Sequence, residues 1–504
     1  MSKPEAPLPK GTDHAPYWYF LAICATLFPL FLNGGPLYYF DTGSYIAQGL
    51  GALKTLGFEL PKIGDGTGGS GVALGEDGAV SGSRAVVYSV MIGLSRLLTG
   101  VTALAVFQAL LFVAAVALTV RAALRATGTR MDLAARRTAI AIFAAALGTM
   151  PFVAVYLMPD IFAPIMILCL GTLAAFAPSM RFWEILAALA LAILAVVTHP
   201  SHLFIALLMI PLSALITLLL GQRRWWLAPC LVSFVAVAGL AERVVFMAAV
   251  KTVKEDTEVV YFPFLTVRAI ADGPGLEYLA DHCALEGTGG QDAELATCRL
   301  YEELQVSDDP YRLTASHIMF ENSRRLGSFQ FLSSEEQSAV AREQVLFFLK
   351  VALERPIGMG WALTRNTLDQ INRHDLSLIV PTRKVLEQAR KMSIYVPDNF
   401  ERAWLLDSRG WIGPLTVFQR VVYGLAALTI VALLVLTPPE RRAPGPVRAL
   451  VLMLLAGVFV NAFVCGGISQ PSDRYGARVI FLVTVAAAFL VMFRQGGEAP
   501  DKNV

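Results

Sequence analysis

The chain reads as an all-α polytopic membrane protein, with about ten transmembrane helices, an outer-surface juxtamembrane helix and a mostly helical extracytoplasmic segment. Three observations carry that expectation. Of 504 residues, 56% are hydrophobic and only 16% charged, where a water-soluble domain carries about 25%. Apolar stretches near the ~20 residues that a bilayer requires alternate with short polar or basic stretches. Lys and Arg are also distributed unevenly between the two sets of loops. The formal net charge of +2 gives no sign of nucleic-acid binding, and the arginines flank helices rather than line one face.

The N-terminal stretch Met1–Pro16 is short, polar and Pro-rich. The apolar run Tyr17–Leu32 that follows is interrupted by Pro29 and ends without a small-x-small cleavage site, so it reads as an uncleaved signal anchor. Spans are expected at 17–33, 101–120, 138–157, 161–178, 183–199, 203–220, 226–248, 415–436, 448–466 and 477–493. The stretch Arg84–Gly100 is apolar enough to span, but Arg84, Ser89, Ser95 and Arg96 interrupt it. With that stretch left out of the spans, one set of loops holds Lys3, Lys10, Arg121, Arg125, Arg130, Arg136, Arg137, Arg181, Arg223, Arg224, Arg441, Arg442, Arg448, Arg494 and Lys502. The opposite short loops hold Lys54, Lys62, Arg84, Arg96, Arg474 and Arg478. Positive-inside bias then places both termini in the cytoplasm. Arg84–Gly100 is accordingly expected as an amphipathic helix lying on the outer surface.

Three regions follow. Residues 1–249 form an N-terminal transmembrane module with a long first outer loop at 34–100. Residues 250–414 form the extracytoplasmic segment, and 415–504 hold the C-terminal spans. Within 250–414, Ser334-Glu335-Glu336-Gln337 offers a capping box for a helix running to Pro356. Arg312–Arg325 and Pro381–Met392 also read as helices, and strand periodicity is weak. Cys24, Cys169, Cys230 and Cys465 lie in or beside spans and read as small buried apolar residues. Cys283 and Cys298 both fall in the outward-facing segment, where an oxidising compartment permits a disulfide; two free thiols are the alternative.

Ionisable groups at a membrane boundary are costly and are functional candidates for that reason. Here they share the outer side: Asp41 in Tyr38-Tyr39-Phe40-Asp41, Asp160 after Met158-Pro159, His199 and His202 around Pro200, and Asp473, Arg474, Tyr475 and Arg478 before the last span. Each has a plainer alternative. Asp160 and Asp473 would serve as helix caps, His199 and His202 as interfacial histidines, and Arg478 as an arginine reaching for the interface. Asp41 has no helix start after it that the sequence makes obvious. Transfer of a sugar from a polyprenyl phosphate needs a base for the acceptor hydroxyl and cations for the phosphate, and this set supplies both.

The arrangement resembles the GT-C superfamily of membrane glycosyltransferases. Members have a short cytoplasmic N-terminus, an acidic residue in a long first outer loop bearing surface helices, and a second acidic residue in the next outer loop. The matching positions are Asp41, the Arg84–Gly100 helix and Asp160. Ser83-Arg84-Ala85-Val86-Val87-Tyr88-Ser89 looks like the Arg/Pro/Tyr segment that opens the surface helix. His199-Pro200 sits where members carry a short basic motif, and Arg474-Tyr475 resembles a C-terminal Arg-Tyr element. The likeness covers roughly residues 15–220 best.

The resemblance implies a glycosyltransferase of cell-envelope glycan biosynthesis, in the bacterial inner (plasma) membrane, with its active site on the outer face. Its partners would be a polyprenyl-phosphate sugar donor, a glycan, lipid or protein acceptor, and membrane lipid. Asp41 would be the general base and Asp160 would orient the acceptor or a metal. Arg474, His199, His202, Arg478 and Tyr475 would hold the donor phosphate. The first loop carries one acidic residue near the membrane rather than a pair, which leaves metal dependence open; a divalent ion would take Asp41 and Asp160. The Gly-rich run Gly64–Gly82 lacks P-loop spacing and suits a substrate-gating loop. Two other readings stand beside this one. A polysaccharide polymerase or ligase would lean on Arg324, Arg325 or Arg373. A transporter or flippase would show paired repeats and charges within spans, of which only Glu242-Arg243 is present.

Overall fold

The structure is a computed structural model that describes residues 14–59, 73–74, 79–81, 84–253, 259–283, 295–306, 308, 313–380, 405 and 409–494. The proposed helix Pro381–Met392 and most of the Gly64–Gly82 run lie outside the described residues.

The N-terminal part runs α1 (Ala15–Asn33), α2 (Phe40–Thr55), α3 (Val86–Leu98), α4 (Val101–Ala126), α5 (Ala134–Ala146), α6 (Met150–Ala154), α7 (Phe162–Phe176), α8 (Phe182–Val197), α9 (Pro200–Leu219) and α10 (Leu227–Val253). The segment beyond holds α11 (Phe264–Ala271), α12 (Pro274–His282), α13 (Thr297–Leu304), α14 (Ala315–Phe320), α15 (Ser334–Glu354) and α16 (Pro356–Asn372). The chain closes with α17 (Ile412–Val431), α18 (Gly445–Ala462), α19 (Asp473–Ala477) and α20 (Leu482–Phe493).

Among the described residues, eight helices are long and apolar enough to cross a membrane, where about ten spans were expected: Ala15–Asn33, Val101–Ala126, Pro159–Ser179, Pro200–Leu219, Leu227–Thr252, Ile412–Leu436, Gly445–Gly467 and Asp473–Phe493. The expected span 138–157 is broken between α5 and α6. Pro151 has no N–H to continue the ladder, and the freed amide of Thr149 donates to the Tyr423 hydroxyl at 3.0 Å. The expected span 183–199 is α8, whose 16 residues rise about 24 Å, short of the ~30 Å hydrocarbon layer. Pro200 ends it, because the residue before a proline is pushed out of the helical region, and His199 is extended there.

At the centre of the bundle lies α7, every residue of it buried. It packs against α4, α8, α10 and α18, and the hydroxyls of Thr119 and Thr172 meet at 2.7 Å between α4 and α7. The first loop folds onto this bundle through α2 and α3. Their backbones touch where Gly49 crosses Ser89 and Gly93: a Cβ on Gly49 would lie 1.8 Å from the Ser89 carbonyl oxygen, and one on Gly93 2.9 Å from Gly49 C.

The segment 262–359 has its own apolar core, including Val267, Ile270, Leu300, Ile318, Phe329, Val340 and Phe347. Cys283 and Cys298 are joined there by a disulfide, with Cα atoms 5.5 Å apart. The capping box of α15 uses Ser333 with Glu336, one residue earlier than Ser334. The helix expected over Arg312–Arg325 is only Ala315–Phe320 among the described residues, because Glu321 turns extended and its carboxylate binds the amides of Asn322 and Ser323. A three-stranded sheet of two- and three-residue strands, β1 (Ala73–Leu74), β2 (Ala79–Ser81) and β3 (Val259–Val260), joins the first loop to this segment. β2 pairs antiparallel with β1 and parallel with β3.

Candidate functional site

Five separate chain segments converge at the end of the bundle where the first loop packs. The extended stretch at Leu37 lies beside Tyr156, with Leu37 N–H donating to Val155 and Leu157 N–H to Leu37, both at 2.9 Å. Three residues beyond Tyr39, Thr42 accepts the Tyr39 amide at 3.0 Å and donates to the Leu157 carbonyl at 3.1 Å. That hydroxyl starts α2 and ties it to the turn carrying Asp160. Asp41 therefore sits in the first turn of a helix whose start the sequence does not make obvious. A carboxylate at that position is favoured by the free amides and the helix dipole.

The C-terminal arm is placed by α16. The Gln370 side chain donates to Ser472 O and accepts from Ser472 N, both at 2.9 Å. Gly476 lies so close to α16 that a Cβ would sit 1.8 Å from Arg373 O. This clamp fixes α19 and aims its arginine inward.

The charged centre is built on Arg474. Its Nε donates to both carboxylate oxygens of Asp160 at 3.1 Å, and its Nη1 lies 3.6 Å from Asp41. The Arg474 guanidinium lies over Tyr39 at 5.0 Å and Tyr475 at 5.4 Å. Arg478 donates to Asn461 Oδ1 at 2.8 and 3.0 Å and to Ser201 Oγ at 3.1 Å, while its Nη1 lies 3.7 Å from Asp160 without a hydrogen-bond partner. Arg84 Nη2 donates to Asp41 at 2.9 Å. Asp160 and Arg478 are almost wholly buried, at 1% and 0% exposure, whereas the Asp41 and Arg84 side chains are 26% and 23% exposed. The pair at the mouth is open and the pair at the floor is closed.

His199 and His202 lie beside this centre. His199 Nδ1 accepts the Ser201 amide at 3.2 Å and faces Ser201 Oγ at 2.8 Å, so it supports the serine that receives Arg478. The His202 Nδ1–H donates to Ala195 O at 2.7 Å, and its Nε2 is buried without a partner. The two rings stand 5.3 Å apart. Burial pushes the Tyr39 hydroxyl up to about 12, opposed by nearby Arg474, and pushes Tyr45 up as well. Both stay neutral donors at ordinary pH.

Of the residues singled out in the sequence, Asp41, Asp160, Arg474, Arg478, Tyr475 and His199 share one connected network, and His202 backs it. Cys283 and Cys298 belong to the other core. Arg478 is not an arginine reaching for the interface, because it is fully buried among polar partners. Asp160 makes no capping hydrogen bond in its 3-10 turn and serves Arg474 instead. Sequence reasoning missed Arg84 as a member of the site, along with Ser201, Asn461 and Gln108. Gln108 accepts from Tyr88 and donates to Tyr156 O. Polar Asn461 and Gln108 inside apolar runs were the available signal.

The donor set does not suit a divalent cation. Both carboxylates are engaged by guanidinium groups, and no trio of His, Cys, Asp or Glu side chains able to hold a metal occurs among the described residues. Three arginines against two aspartates leave one net positive charge, so the arrangement favours an anion. Compared with protein-family models, curated proteins and solved structures, the chain matches none.

Proposed function

We propose that the chain is a membrane glycosyltransferase that moves a sugar from a polyprenyl-phosphate donor to a cell-envelope acceptor at the outer face of the membrane. The observation that carries this reading is the buried Asp160–Arg474–Arg478 centre opening onto the half-exposed Asp41–Arg84 pair at one end of a helix bundle. A donor phosphate would take up the surplus positive charge while its lipid tail stays in the bilayer. Arginine forks suit phosphate oxygens. Once phosphate engages Arg84 and Arg474, Asp41 is released to accept the proton of an acceptor hydroxyl. The acceptor oxygen then bonds to the anomeric carbon as the bond from that carbon to the phosphate oxygen breaks. The leaving polyprenyl phosphate keeps the electron pair, and its charge is met by the same guanidinium groups. Attack opposite the leaving group inverts the sugar carbon. Asp160, closed off beneath Arg474, orients that arginine and not the acceptor.

The test is complementation of a gene deletion with wild type or Asp41→Asn, reading envelope glycans and glycolipids by mass spectrometry. A sugar lost on deletion and restored only by wild type supports the reading. Full restoration by Asp41→Asn ends it, and a shortened polymer or trapped lipid-linked precursor replaces it with a polymerase or a flippase. Because Asp41 is at the exposed mouth, its variant is expected to fold, with a stability change within about 1 kcal/mol.

A further inference from the structure

A second basic site lies at the other end of the bundle. Gln108, which touches the Asp41–Asp160 end through Tyr156, is 17 residues before Arg125 on α4. At 1.5 Å per residue that is about 25 Å, most of a bilayer core. There, a cavity of about 400 Å³ is lined by Arg121, Arg125, Thr129, Met131 and Arg181, among others. Two of these arginines turn their guanidinium groups to one carboxylate, Glu184, and Arg181 meets it through its backbone amide. Arg125 Nη1 donates to Glu184 Oε2, the Arg181 amide donates to the same oxygen at 2.9 Å, and Arg121 Nε is 3.8 Å from Oε1. This tie crosses between α4 and α8. The three lining arginines, with Glu184 beside them as counter-charge, leave this end of the bundle a net charge of +2.

The surroundings fix the level of the cavity in the bilayer. Next to Arg181, the aromatic side chains of Phe182 and Trp183 are 66% and 75% exposed. Such exposed aromatics at a helix end mark the headgroup layer. Leu186, one turn further along α8, is also exposed and continues the apolar surface toward the hydrocarbon.

We propose that this cavity binds the phosphate headgroup of an anionic phospholipid, with Arg121 and Arg181 gripping phosphate oxygens and the acyl chains lying along Phe182, Trp183 and Leu186. Arg125 stays committed to Glu184 and holds the two helices together. The chemistry is phosphate recognition by a basic pocket between membrane helices. It does not depend on the glycosyltransferase reading, because it uses no residue of that site.

The test is native mass spectrometry of the full-length protein titrated with phosphatidylglycerol, phosphatidylcholine or inorganic phosphate. Wild type is expected to retain phosphatidylglycerol in preference to phosphatidylcholine. Arg121→Gln with Arg181→Gln is expected to weaken that retention about 25-fold, at roughly fivefold per arginine. Arg121→Lys with Arg181→Lys, which keeps both charges, should recover most of it. Equal retention of the two lipids by wild type overturns the proposal whatever the variants do. So does undiminished retention by a folded Gln variant. Inorganic phosphate that binds while neither lipid does would assign the cavity to a soluble anion and overturn the lipid assignment.

Discussion

Asp160→Asn removes the carboxylate that both buried arginines share. Asp160 is 1% exposed, and Arg474 and Arg478 are 6% and 0% exposed, so water cannot take its place. A single ion pair about 4 Å apart at an effective dielectric of ~20 is worth about 4 kcal/mol, in line with the ~3–5 kcal/mol lost when one partner of a buried pair is removed. Asp160→Asn raises the surplus at the centre from +1 to +2, with Asp41 as the one remaining counter-charge. A loss of about 3–5 kcal/mol is expected in chemical unfolding followed by circular dichroism in mixed micelles. Arg474→Gln should cost a similar amount. The double variant restores the +1 balance, so it should cost about as much as either single change, giving a coupling of about 3–5 kcal/mol, at or above the upper end for residues in contact. If the two losses add, or if Asp160→Asn unfolds within about 0.5 kcal/mol of wild type, then Asp160 does not balance these arginines and the description of the centre fails.

Gly49→Ala should destabilise by about 1–3 kcal/mol, because its Cβ would stand 1.8 Å from Ser89 O, against an ordinary contact near 3.4 Å, so α2 and α3 must part by about 1.6 Å. Gly51→Ala, whose Cβ meets nothing within 4 Å, should leave the unfolding midpoint unchanged or slightly raised; equal midpoints for the two variants would contradict the close crossing. Cys283→Ser with Cys298→Ser opens a bridge of sequence separation 15, worth about 3 kcal/mol, and should speed proteolysis of the 262–359 segment while wild type stays resistant. Burial holds the His374 imidazole below its ordinary range, with Arg420 adding to the effect, and its ring packs edge-on to Tyr423 at 5.4 Å. The unfolded chain takes up that proton first, so stability should fall as pH drops below about 6.5. His374→Phe should flatten that part of the pH profile; an unchanged slope would remove His374 as its source.

Apolar length and the unequal sharing of Lys and Arg between loops were enough to determine that this is a helical membrane chain, since lipid tolerates neither open backbone nor unpaired charge. The same cost made Asp41, Asp160, His199, Arg474 and Arg478 legible as candidates, because an ionisable group at the edge of an apolar run needs a reason to be there. Hydropathy alone did not reveal that 138–157 breaks near Pro151 or that α8 stops short at Pro200. Those outcomes rest on backbone hydrogen bonds: a proline that cannot donate, and a Tyr423 hydroxyl that receives the freed amide of Thr149. Tertiary structure alone decided who pairs with whom. Asp160 and Arg474 are 314 residues apart in the chain. Arg84, legible in the sequence only as part of the segment that opens a surface helix, closes on Asp41 because α2 and α3 cross at two glycines. Apolar patterning records which faces avoid water, but it does not encode which distant charges meet; that follows from how the helices pack, and the surplus positive charge of the site exists only once they have done so.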